Sequence, residues 1–373
     1  MKREIEEGGG HARAACDRWP PLTPLAPHIS RLPLSPQPLH PTHPTAVAAS
    51  AVNIAGGFTV SQRMLDMFKR PGDPPEHAAL YAILPAGSIA AGVAAAHLAG
   101  LDPAALEGAH GAGFLASAAL CIGALACLSR QETARIGNAL GVGGVAGALA
   151  TTAGALAAAG ADAGTFAQAA TALAAGGAVG TAIARRVSVT SLPEMVAALH
   201  SLVGFAAAAT SVAAFLTHPS ADGAHLAAAW GGTAVGAVTA TGSLAAFGKL
   251  RGALSSAPLA LPGKNLVNLS LAGVAVGAGV FGLAPAAAAG DVAAGVLALS
   301  TTAAAAGALG YHTTASIGGA DVPVVVTVLN AYSGVALAIE GALLSNDLLT
   351  SVGALIAASG SMLTFIMCRA MNR

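Results

Sequence analysis

From about residue 45 onward the chain is a succession of apolar stretches, each roughly 18–25 residues long, with Lys and Arg confined to alternate gaps between them. A helix rising about 1.5 Å per residue needs about 20 residues to cross a 30 Å hydrocarbon layer. Strands crossing lipid would show alternating segments about ten residues long, and these runs do not alternate. Charged residues make up 9% of the sequence, against about 25% in ordinary soluble domains. The pattern predicts an all-α, polytopic transmembrane helical bundle of 10–11 helices.

The candidate spans are 45–61, 78–100, 110–128, 137–160, 165–184, 194–217, 225–248, 266–286, 290–310, 322–344 and 347–368. Arg63, Lys69 and Arg70 follow the first, Arg130 and Arg135 the third, and Arg185 and Arg186 the fifth. Lys249, Arg251 and Lys264 follow the seventh, and Arg369 and Arg373 the last. The intervening gaps carry Asp102, Glu107, Asp162 and Asp222 with no cation. Cationic loops stay on the inner side, so the C-terminus is expected inside and the N-terminal tail outside. One inner gap, 311–321, breaks the rule and carries His312 instead. Residues 1–44 are charged and then rich in proline and histidine, which predicts a disordered tail ahead of a membrane domain spanning 45–373.

Glycine recurs at helical spacing in GVGGVAG (141–147), GGAVG (176–180), GGTAVG (231–236) and GVAVGAG (273–279). Small residues let helix backbones approach closely where water drives nothing together, so a tight bundle is expected. GVGGVA loosely fits a dinucleotide fingerprint, but no strand precedes it, and helix packing explains it better. Cys16, Cys121, Cys127 and Cys368 have neither disulfide nor zinc spacing, and no metal site is expected. Zero formal net charge gives no argument for nucleic acid.

Polar residues inside such spans carry the functional signal. His200 lies roughly 9 Å into the sixth span, measured from Glu194, and Asn330 roughly 13 Å into the tenth, measured from Asp321. Both are counted from the inner side. Histidine exchanges a proton near neutral pH, and an amide both donates to and accepts from water. Together they can hold a short water chain, the minimum for a proton path. The alternative for each is a plain hydrogen bond between helices. Thr239, Thr241 and Ser243 are expected to bond back to their own helix. Glu340 is expected to reach headgroups, and His225 and His312 to be solvated at helix ends.

Several blocks are distinctive: VNIAGGFTVSQRMLDMFKRPGDPPEHAALYAILPAGS (52–88), LPEMVAALHSLVG (192–204), SIGGADVPVVVTVLNAYSG (316–334) and IMCRAMNR (366–373). In these blocks the chain resembles the membrane domain of the proton-translocating NAD(P) transhydrogenase family, in its fused, mitochondrial-type arrangement. The resemblance implies a membrane histidine and asparagine serving a proton path, which fall on His200 and Asn330. It implies that Asp321, Arg373 and Gly360 link the channel to an NADP(H)-binding domain. NAYSGV replaces the family's usual NSYSGW, so Ala331 and Val335 stand where a hydroxyl and a ring are expected.

The resemblance further implies proton conduction coupled to hydride transfer between NAD(H) and NADP(H), both carried on partner domains of the enzyme. No cofactor-binding or catalytic residue is expected within this chain, which would be enzymatic only as part of the complete transhydrogenase. A homodimer in the lipid bilayer of the mitochondrial inner membrane is expected, with bacterial plasma membrane or a plastid membrane as alternatives. Two other readings are a non-conducting scaffold anchoring soluble partners and a small-solute transporter. The lack of paired broken helices counts against the transporter.

Overall fold

The computed structural model describes residues 42–69, 77–219 and 222–372. Among these residues, eleven long helices follow one another through short connections. They are α1 (Thr42–Asp66), α2 (Ala78–Leu98), α3 (Pro103–Leu128), α4 (Ala134–Ala158), α5 (Ala163–Arg186) and α6 (Leu192–Thr217). Then come α7 (Gly223–Leu250), α8 (Lys264–Ala289), α9 (Val292–Ala315), α10 (Val322–Leu343) and α11 (Asp347–Ala370). Each expected span falls on one helix, with the largest shift at α3, which starts at Pro103 where the span was expected to start at 110. The first begins at Thr42, inside the stretch expected to be tail. Nine of the eleven are by themselves long and apolar enough to cross a membrane, and α1 and α7 are the exceptions. The chain is an all-α polytopic membrane bundle.

The two ends of the bundle are finished with opposite chemistry. At one end α3, α5, α7 and α9 start, and each is capped by an aspartate. The Asp102, Asp162, Asp222 and Asp291 carboxylates accept from the backbone N–H of Ala105, Thr165, His225 and Ala294 at 2.8–3.0 Å. Asn346 does the same for α11 through Leu349. A cap oxygen satisfies an N–H that the helix itself leaves unpaired, and its negative charge faces the positive end of the dipole. Gly160 closes α4 there in a left-handed turn (φ 78°), which lets Ala161 N–H reach back to Leu156 O at 3.0 Å.

Every Lys and Arg among the described residues lies at the opposite end. Three of them cap a neighbouring helix's last carbonyls. Arg63 of α1 donates to Ala184 O and Val187 O at the end of α5. Arg135 of α4 donates to Leu65 O of α1 at 3.0 Å. Lys249 of α7 serves the end of α9 at Ala315 O (2.7 Å).

Packing is inverted relative to a soluble protein. Leu98, Leu115 and Phe281 are 89%, 72% and 82% exposed, whereas Ser117, Thr151, Ser211, Thr233, Thr239, Ser243 and Thr302 are fully buried. Many large side chains face lipid, a few such as Phe215, Leu283 and Leu299 fill the interior, and small ones let backbones meet. At the α6/α7 crossing Gly204 and Gly236 each lie against the other helix's backbone, leaving no room for a Cβ. Gly141, Gly143, Gly144 and Gly147, and Gly176 and Gly180, are likewise pressed on neighbours, but Gly273 of GVAVGAG faces open space. Helix α7 is the hub, packing on α6, α9 and α10. Helix α8 widens to a π turn over Ala278–Leu283, just before Pro285. A proline lacks the N–H that an α turn would use there and needs room for its ring.

Candidate functional site

Helices α6 and α10 both start at the cation-bearing end, each with a proline in its first turn, Pro193 and Pro323. They therefore run parallel, and they touch. His200 and Asn330 each lie eight residues past the first residue of their helix, about 12 Å along it. At matching height the side chains meet, with His200 Nε2 3.3 Å from Asn330 Oδ1. The amide oxygen only accepts, so Nε2 carries the proton and Nδ1 carries the lone pair. That Nδ1 is buried and has no protein partner. The pair is thus a satisfied hydrogen bond on one face and an open proton acceptor on the other.

Gly360 of α11 packs on the same spot. A Cβ there would lie 3.1 Å from Asn330 Nδ2 and 2.9 Å from the Ala331 nitrogen. Gly360 therefore sits against the polar pair, part-way along α11. Ala331 is buried at this contact, whereas Val335 is on the outer surface. One turn toward the cation-bearing end from Asn330, Thr364 donates to Thr327 Oγ1 at 3.0 Å and to Gly360 O at 2.8 Å. These hydroxyls carry the polar seam between α10 and α11.

Asp321 ends a single 3-10 turn (Gly319–Asp321) before α10. It stands on the rim of a cavity of about 680 Å³ that Lys249, Ser256, Pro258, Gly318 and Gly319 also line. Lys249 is buried, and its ammonium donates to Ala257, Ala315 and Ile317 carbonyls at 3.3, 2.7 and 2.6 Å. The gap 311–321, which has no Lys or Arg of its own, thus takes a cation from α7. Arg373, like Arg70, lies outside the described residues.

Four expectations change. Ser243 Oγ is buried without a hydrogen-bond partner among the described residues rather than bonded back to its own helix, and His225 Nε2 is buried rather than solvated. Glu340 does not point to headgroups: its carboxyl is hydrogen-bonded to Thr210 of α6, partly buried. Glu340 and Thr210 lie ten residues beyond Asn330 and His200, about 15 Å further along the same two helices. That shared offset, 200 to 210 and 330 to 340, was the sequence signal available. His312 is not solvated. It is 6% exposed, and its Nδ1 lies 2.6 Å from Asn268 Oδ1 on α8. Nothing in the sequence paired these two, because they lie 44 positions apart on different helices. Thr239 and Thr241 do bond back to their own helix, and Thr241 also donates across to Gly307 O at 2.7 Å.

Taken together, a lipid-facing shell of large residues, end-specific charge and a His–Asn pair in the interior define a polytopic membrane protein with a polar centre. Over residues 110–373 the chain matches the NAD(P) transhydrogenase beta subunit family. Residues 39–70 match the 4TM region of pyridine nucleotide transhydrogenase. Two relatives, both the NAD(P) transhydrogenase subunit beta of Rhodospirillum rubrum, are each 41% identical over 271 residues. Those residues are 70% of this chain and 55% of the relative, so the chain spans about half the length of the relatives it matches. The protein belongs to the NAD(P) transhydrogenase beta subunit family and corresponds to its membrane part.

Proposed function

We propose that this chain conducts protons across the bilayer for a proton-translocating NAD(P) transhydrogenase, coupled to hydride transfer between NAD(H) and NADP(H) on partner domains. The observation that carries the reading is the His200–Asn330 bond together with the unpartnered Nδ1. Nδ1 takes and releases the proton, and Asn330 fixes the ring so that this nitrogen faces its water. Ring rotation or helix movement then opens it to one side or the other, as alternating access requires. Thr210 and Glu340 continue the polar line along α6 and α10 toward the acid-bearing end. Gly360 lets α11 press on Asn330, and Asp321 and Arg373 serve the contact with the NADP(H)-binding domain. The cation-bearing end, with the C-terminus, faces the inner compartment, and the working unit is a homodimer in the mitochondrial inner membrane.

His200→Ala or Asn330→Leu in the complete enzyme is expected to abolish proton pumping in sealed vesicles. Pumping unchanged in both variants would reject the relay and favour a non-conducting scaffold.

A further inference from the structure

The acid-bearing end has no Lys or Arg among the described residues, yet it gathers His97, His110, His218 and His225. His97 is in the last turn of α2, and His110 lies two turns into α3. Helical side chains lean toward their own N-terminus. On these antiparallel helices His97 therefore leans inward and His110 outward, and their tips converge. The two Nε2 atoms are 3.1 Å apart, with ring centroids 5.2 Å apart and planes tilted by 41°. His110 is 7% exposed and His97 is half-buried. Gly154 of α4 faces both tips, and a Cβ there would lie 3.2 Å from each Nε2.

We propose that His97 and His110 form a binding site for an imidazole-seeking transition-metal dication, Zn²⁺ or Cu²⁺. Two imidazole nitrogens bound at about 2.0–2.1 Å to a tetrahedral ion are about 3.3 Å apart. The observed pair needs to open by only a few tenths of an ångström. The histidines come from two helices, are held tip to tip by packing, and meet a backbone without a side chain at Gly154. No third His, Cys, Asp or Glu joins them in a ligating group among the described residues, so water completes the coordination. In the metal-free pair one ring donates its Nε2–H to the other. On binding, that proton moves to the ring's own Nδ1, and both Nε2 lone pairs point at the ion. Asp102 at the cap of α3 and Glu107, one turn before His110, add negative charge at this end, where no cation among the described residues opposes a dication. A bound ion would tie α2 to α3 against α4.

The test uses the full chain purified in detergent without a polyhistidine tag. His11, His28, His40 and His43 of the N-terminal segment are replaced by Gln to remove competing ligands. At one equivalent of Cu²⁺, electron paramagnetic resonance should show nitrogen splitting from two imidazoles. His97→Gln and His110→Gln should each reduce this to one. Each should also weaken Zn²⁺ binding, read by chelator competition, at least about 100-fold, since even losing a supporting outer-shell group costs 10–100-fold. His218→Gln/His225→Gln should change neither readout. A parent spectrum without two-nitrogen splitting overturns the site, and needs no variant to fold. So does splitting that survives in both single variants or vanishes in the His218/His225 control.

Discussion

One hydrogen bond decides what His200 is able to do. With Nε2 committed to Asn330 Oδ1, only Nδ1 is left to exchange a proton, and the ring cannot flip without breaking the bond. Asn330 in turn has Gly360 at its back. Gly360→Leu is expected to force the Asn330 amide and the α10 backbone aside. Overpacking of this kind costs about 1–3 kcal/mol. Thermal unfolding should show that loss, and reconstituted complete enzyme should pump more slowly even below the melting temperature. Normal pumping by a destabilised variant would separate Gly360 from the relay. His200 and Asn330 were legible in the sequence because a lone polar residue in an oily run stands out. Their shared height was legible too, since both are counted from the same end. Glu340 was misread because a carboxyl near the end of a span reads as a headgroup contact unless the facing helix is known. His312 was misread for a similar reason, its partner Asn268 lying on another helix.

At the scale of elements, the helix ends carry the design. The Asp162 carboxyl is held below its ordinary value of 3.8 by the Thr165 hydroxyl and then by the Thr165 N–H. A depressed carboxylate stabilises above its ordinary value and loses that contribution as pH falls through the lower folded value. Asp162→Ala should therefore lower the unfolding temperature slightly at pH 7, and the gap between parent and variant should close in strong acid. A gap that widens in acid would refute the cap's role. Lys249 is the heavier case, being buried with three carbonyls around it. Lys249→Met keeps the stem and removes the donor. Hydrogen bonds to charged groups contribute about 1.5–3 kcal/mol, so amide exchange around Ala257–Leu259 and Ala315–Ile317 should speed up roughly ten-fold or more. Unchanged exchange would mean that the loops hold without it. The span limits were legible from apolar length, and the aspartate caps extend several helices a few residues past the apolar runs. The cross-helix cation caps were not legible, because nothing local in a sequence says which neighbour's carbonyls a lysine will find.

For the whole molecule, the segregation of charge makes orientation testable. In a background lacking Cys16, Cys121, Cys127 and Cys368, a membrane-impermeant maleimide added outside should label Ala161→Cys and not Ser129→Cys. The reverse pattern would invert the proposed topology. The class of fold was legible from hydrophobic runs alone. The arrangement of helices was not, since glycine stripes announce close contacts without naming the partner, as Gly273 shows by having none.

Helix α7 also bears on how the protein is made. It is the hub of the bundle and yet one of two helices not apolar enough to qualify as a span. Its buried threonines, serine and lysine suit it to protein neighbours rather than to lipid. Left by itself in the insertion machinery, such a segment would be a poor membrane passenger. It enters the bilayer in company, with α6 already waiting and α9 and α10 closing around it, so the centre of the molecule is the part whose biogenesis depends most on the rest.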